Sequence, residues 1–307
     1  MDIFLQQLIN GLVLGSIYAL VALGYTMVYG ILGLINFAHG DIVMIGALVA
    51  LTVVQLLAGS GLPPLVIFAV ALFAAIAVCV AVGLTIERVA YRPLRRAPRL
   101  APLITAIGVS ILLQYTAALI WGKQYMSMPE LMVPTNLEIG GAQFSDLQAY
   151  IFLLACAVMA GLMWFIKSSR VGRAMRATEQ NPDVAGLMGV DTNRIIAFTF
   201  LIGSAIGAVA GVMVVLYYGL GHYFMGFMLG LKAFTAAVLG GIGNIAGAML
   251  GGLLLGIIES LASGYIGDLT GGLLGSNYRD VFAFLVLIGV LVLRPSGLMG
   301  QHVRERA

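Results

Sequence analysis

Apolar positions fall in long unbroken runs, near residues 5–29, 37–59, 63–86, 101–121, 148–167, 195–219, 226–246, 247–265 and 278–294. Most approach the roughly 20 residues that an α-helix needs to cross about 30 Å of hydrocarbon. The ten-residue apolar and polar alternation of a membrane β-barrel is absent. The pattern therefore predicts an all-α polytopic transmembrane bundle of eight or nine spans, a single domain over 1–307.

Two places strain the count. Segments 226–246 and 247–265 meet at Gly240-Gly241-Ile242-Gly243-Asn244-Ile245-Ala246-Gly247 without a charge, which reads equally as a tight hairpin or a broken, re-entrant element. The cluster Asn36-Phe37-Ala38-His39-Gly40-Asp41 reads as an inner turn or as an unwound stretch within the bilayer. Asn36 and His39 are expected to satisfy backbone groups freed by such a break and, with Gly40 and Asp41, to shape a gate. The glycines and apolar residues after Leu32 and Leu239 echo one another faintly, a match that arises easily in a glycine-rich apolar chain.

Composition agrees: 61% of 307 residues are hydrophobic, 9% are charged and mean hydropathy is +1.04. So much apolar surface cannot be hidden inside a water-soluble globule. The 40 glycines suit close helix packing in lipid. Cys79 and Cys156 sit singly in apolar runs, and neither they nor the histidines have metal-ligand spacing. The first run has no basic segment before it and reads as a retained span rather than a cleaved signal.

The net charge of +3 reports topology, not nucleic-acid binding. Arg88, Arg92, Arg95, Arg96 and Arg99 crowd the third connection. Lys167, Arg170, Arg173, Arg176 and Arg194 crowd the fifth, and Arg294, Arg304 and Arg306 follow the last span. If the spans alternate, these thirteen of 16 basic residues share one side. Short basic loops stay in the cytoplasm, which puts the C-terminus inside and the N-terminus outside.

The loop 168–194 carries a short-helix grammar. Asn181 suits the N-cap, Pro182 the first helical position, Asp183 the positive helix end, and Gly189 a left-handed residue past a helix over 182–188. Val184, Leu187 and Met188 then share one face. So short a helix is unstable alone; it must lie on the protein or membrane surface or insert into a partner's groove.

Enzyme chemistry has no support. Gly226 to Ala233 lacks the spacing and the Ser/Thr of a phosphate loop, and His39, His222 and His302 make no constellation with a nucleophile or carboxylate. Inside the spans the ionisable residues are Asp41, Lys232 and Glu259, where a pathway role and a structural role both remain open. An ion-gradient-driven transporter or channel for small amphipathic solutes is the alternative to an ATP-driven permease.

Gly24-Tyr25-Thr26-Met27-Val28-Tyr29-Gly30, Leu34 to Gly40, Glu87-Arg88-Val89-Ala90-Tyr91-Arg92-Pro93-Leu94, the 170–190 loop, and Lys232 to Ala237 with Gly240-Gly241-Ile242-Gly243 together carry a family resemblance. Over essentially its whole length the chain resembles the LIV-type permeases, membrane subunits of branched-chain amino-acid ABC importers, and especially the shorter of their two paralogous subunits. The resemblance implies translocation of Leu, Ile and Val across a bacterial inner membrane. It also implies a heterodimer with the longer paralogue, two ATPase subunits that bind the ATP, a periplasmic amino-acid-binding protein, and no cofactor on this chain. The stretch matching the coupling helix would dock the ATPase through Arg176, Glu179, Asn181, Pro182, Val184, Ala185, Leu187, Met188 and Gly189. Glu179 is followed by Gln180 and Asn181 instead of the two alanines of maltose-type permeases, a departure shared by LIV-type members.

Overall fold

The computed structural model describes residues 2–300 apart from 96, 99, 130–134, 140, 274, 276–277 and 295. Arg96, Arg99, Glu130, His302, Arg304 and Arg306 lie outside the described residues. Among the described residues, eleven α-helices run in chain order: α1 Asp2–Leu32, α2 His39–Leu57, α3 Pro64–Ile86, α4 Leu100–Trp121, α5 Asp146–Ser168, α6 Arg170–Gln180, α7 Pro182–Leu187, α8 Thr192–Tyr218, α9 Met225–Gly240, α10 Ile245–Leu269 and α11 Arg279–Leu293. Helix α3 continues through a π turn, Glu87–Tyr91, and a 3-10 turn, Arg92–Leu94.

Among the described residues, seven helices are long and apolar enough to cross a membrane; α9 is apolar but only 16 residues long. With α11, the nine expected apolar runs thus all return as helices. The doubtful junction is a hairpin: α9 ends at Gly240 and α10 starts at Ile245, a few residues before the expected boundary. Asn244 caps α10 by accepting from the Gly247 amide at 3.0 Å, which explains why the break falls there. The connections carry short strands: β1 Met126–Ser127 pairs antiparallel with β4 Leu220–Gly221, and β2 Asn136–Ile139 with β3 Ala142–Ser145.

Helix α1 is the buried axis, with Ile17 through Leu23 at most 1% exposed. It packs along α10 at backbone distance: a Cβ at Gly15 would sit 2.8 Å from the Leu253 Cα, so only glycine fits that crossing. Helices α3, α4 and α5 turn apolar side chains outward instead, among them Leu65, Phe73, Leu119 and Trp164. A band that apolar suits lipid rather than water.

Two faces can be told apart. On one, the amide of Gln143 donates to Gln6 Oε1 at 2.8 Å, Gln55 reaches the Ser127 carbonyl, and β1 meets β4. On the other, Arg95 ion-pairs with the buried Glu87 and donates to Asn193 at the start of α8. That second face also carries α6 and α7. Residues 297–300 seat against the α9–α10 hairpin, where the amides of Leu298 and Met299 donate to the carbonyls of Leu239 and Gly240, both at 2.9 Å. Ile242 of this hairpin shares a small crevice with Tyr29, near the far end of α1, and with Ile35 just beyond it. The start of α1 and the basic connections are therefore on opposite faces, as alternating spans require.

Candidate functional site

The α6–α7 elbow projects from the basic face. Ser169 caps α6 by accepting from the Gly172 amide at 2.8 Å, and Met175 and Thr178 bury its inner side. Charge density made 170–180 read as loop; its buried positions, Gly172, Met175 and Thr178, follow helical spacing. Arg176 is directed inward, donating to the Ile166 carbonyl in the last turn of α5, where a cation complements the negative helix end. The exposed Glu179 leans its carboxyl against Gly30 near the end of α1. Partial desolvation draws that carboxyl above the ordinary carboxylate range, while Arg176 pulls it the other way.

Helix α7 has both caps that its sequence spells. Asn181 Oδ1 accepts from the amides of Asp183 and Val184, each at 3.0 Å. At the other end the Val190 amide donates to the Ala185 carbonyl and the Gly189 amide to Gly186, both at 3.0 Å, with Gly189 at φ 87°. This paired closure requires a left-handed residue, for which glycine is suited. Ala185 is 4% exposed and seats the helix, whereas Val184, Leu187 and Met188 stand out at 52%, 87% and 80%. Three apolar side chains are thus held away from the body at a helix capped at both ends.

Inside the bundle, the chain breaks helix between Leu32 and His39. Among the described residues Asn36 bonds no freed backbone group, whereas the His39 side chain reaches a backbone group of α1, at Val21. Asn36 Oδ1 accepts from Tyr91 Oη at 3.0 Å, its Nδ2 and the His39 Nε2 find no partner among the described residues, and the N-cap, Ala38, makes no side-chain bond. His39 is wedged against Gly24 and Gly207, edge-on to Tyr25 with centroids 5.0 Å apart. The turn is held by backbone, the His39 amide donating to the Asn36 carbonyl at 3.0 Å.

Gly40 meets Gly226, so the starts of α2 and α9 face each other deep in the protein. A Cβ at Gly226 would come within 2.9 Å of Asp41 Oδ1. The carboxylate of Asp41, wholly buried, thus lies beside two helix N-termini, where negative charge is favoured. It accepts from Ser110 Oγ and from Gln114 Nε2 at 3.1 Å.

Lys232 and Glu259 form a separate group. Lys232 Nζ lies 2.7 Å from Glu259 Oε1 and 2.8 Å from Asp280 Oδ1. Tyr18 Oη donates to Glu259 Oε2 at 2.9 Å, and Arg279 Nε approaches Glu259 Oε1 at 3.2 Å. Lys232 does not reach out to the surface; it is 9% exposed. The cluster floors a cavity of about 340 Å³ bordered by Tyr125 and His222, which belong to the face that carries β1 and β4. The six expected gate residues therefore divide between a central break and an outer cavity. Sequence reasoning missed Tyr18, Arg279 and Asp280, and the Ser110 and Gln114 partners of Asp41. Arg279 and Asp280 did stand as the lone charged pair opening the last apolar run.

A family model described as branched-chain amino acid transport system / permease component matches residues 7–291. The high-affinity branched-chain amino acid transport system permease protein BraD of Pseudomonas aeruginosa is 49% identical, covering 99% of this chain and 98% of the relative. The corresponding protein LivH of Escherichia coli is 46% identical, over 99% and 97%. A probable branched-chain amino acid transport permease protein LivM of Methanocaldococcus jannaschii is 30% identical over 64% of this chain and 59% of its own length.

Proposed function

The chain belongs to the permease components of branched-chain amino acid transport systems, and from that premise we propose how it works. It is the membrane-spanning subunit of an ABC importer for Leu, Ile and Val. Energy comes from separate ATPase subunits that bind the ATP, and this chain carries no cofactor of its own. Its relatives include both LivH and LivM types, which supports pairing with a longer paralogue. A periplasmic binding protein delivers the amino acid to the face carrying β1 and β4. The basic face looks into the cytoplasm across the bacterial inner membrane.

The observation that carries the coupling is α7: Val184, Leu187 and Met188 are exposed on a helix capped at both ends. An apolar groove on the ATPase would cover them. Motion imposed there has a route inward, because Arg176 ties the elbow to α5 and α6 packs against α1. Helix α1 also carries Tyr18, bonded to Glu259 below the outer cavity. A rigid helix in contact with both places can couple them once it has two positions.

The test is uptake by the complex reconstituted in vesicles with binding protein outside and ATP inside. Leucine uptake that requires ATP and survives a protonophore supports this function. Uptake that needs an ion gradient and ignores ATP supports a secondary transporter instead.

A further inference from the structure

We propose that the outer cavity is an amino-acid-binding site of the permease itself, shaped for an aliphatic zwitterion. The inference rests on the chain being an amino-acid permease and adds where, and by which groups, the substrate is held between delivery and passage.

The charges form two tiers. Lys232 and Glu259, with side chains 11% and 1% exposed, are bonded to each other and Glu259 is further fixed by Tyr18. Above them Arg279 and Asp280 are 39% and 27% exposed, and their closest approach is 3.8 Å. That is too long for a good hydrogen bond; each member is instead tied to the floor, Asp280 Oδ1 at 2.8 Å from Lys232 Nζ and Arg279 Nε at 3.2 Å from Glu259 Oε1. Among the described residues the ion pairs of Arg279 run through Nε, and the guanidinium fork is the group that grips a carboxylate with two parallel bonds. Asp280, whose ion pairs run through Oδ1, offers its other carboxylate oxygen, Oδ2, to an ammonium.

Two cations and two carboxylates leave the floor neutral, which suits a ligand carrying both charges better than a simple anion or cation. Met225, Met228, Leu229 and Val214 line the same cavity and offer an apolar, adaptable wall to an aliphatic side chain. Its volume, about 340 Å³, lies within the roughly 300–1,000 Å³ of small-molecule sites. An α-amino acid with an aliphatic side chain presents these three features at one carbon. A lysine side chain would drive an ammonium into the methionine wall.

The test is equilibrium binding of radiolabelled leucine to the full permease–ATPase complex in lipid nanodiscs, without binding protein or nucleotide. Saturable binding is expected, displaced by isoleucine but not by 4-methylpentanoate, isoamylamine or lysine, each of which lacks one feature. Asp280→Asn should weaken binding roughly tenfold or more through loss of one charge-assisted contact. Met228→Trp, which fills the cavity while leaving every ion pair in place, should do the same. Absence of saturable binding in a complex that still takes up leucine with ATP and binding protein overturns the site alone. Equal displacement by isoamylamine, or unchanged affinity in both variants, also overturns it. A complex with no ATP-driven uptake at all refutes the underlying permease reading as well.

Discussion

Lys232 Nζ and Glu259 Oε1 sit 2.7 Å apart, closing α9 onto α10 by charge well away from the glycine turn that joins them. Neither side chain is appreciably exposed. Removing one partner of such a pair strands a buried charge, at a cost of about 3–5 kcal/mol. Lys232→Met should therefore lose most folded permease in a thermal unfolding assay of the detergent-solubilised protein. Lys232→Met combined with Glu259→Gln should recover much of it. Equal stability of wild type and the single variant would show that Arg279 alone suffices for Glu259.

Gly15 lies against the backbone of Leu253. Gly15→Leu has no side chain to displace and must push α1 from α10, an overpacking that typically costs about 1–3 kcal/mol and sometimes more. Lower yield of assembled complex is the expected outcome. Normal yield and melting would mean that the two helices separate without penalty.

His39 fills space between α1 and α8, and its Nε2 has no partner among the described residues. His39→Gln, similar in length and polar, should keep much of the transport activity, with an unchanged pH profile. Complete loss in a normally assembled complex would assign His39 a proton-carrying or ligand role.

Sidedness follows from Arg88 and Lys123, on opposite faces. In a chain with Cys79 and Cys156 replaced by alanine, Lys123→Cys should react with an impermeant thiol reagent in intact cells and Arg88→Cys should not. Labelling of Arg88→Cys from outside would invert the topology drawn from the basic residues.

Local signals were legible and long-range partners were not. The caps of α7 could be read from Asn181, Pro182 and Gly189 because capping is local chemistry, and the break before His39 showed as a polar interruption. At that break the His39 amide donates to the Asn36 carbonyl, a local turn that the polar residues did not reveal, while the His39 side chain reaches back to the Val21 backbone in α1. Helix α6 was hidden because its arginines looked like loop, although Arg176 is a packing and capping residue. Asp41 gave no hint of Ser110 and Gln114, nor Glu259 of Tyr18, because tertiary pairing brings together residues 69 to 241 positions apart.

Coupling through α7 is tested most directly by Leu187→Asp. Leu187 is 87% exposed, so the substitution leaves the permease fold intact. A partner groove that buries leucine gains about 1.5–3 kcal/mol, and an unpaired carboxylate in the same place costs several more. Glu179→Ala, which removes an exposed charge, should change coupling by at most about 1 kcal/mol. The measurement is ATPase co-purification together with ATP-driven leucine uptake in vesicles. The Leu187→Asp permease should insert normally and either release the ATPase or hydrolyse ATP without uptake. Full retention of the ATPase with unchanged uptake would contradict the assignment and leave α7 as a helix lying on the membrane surface.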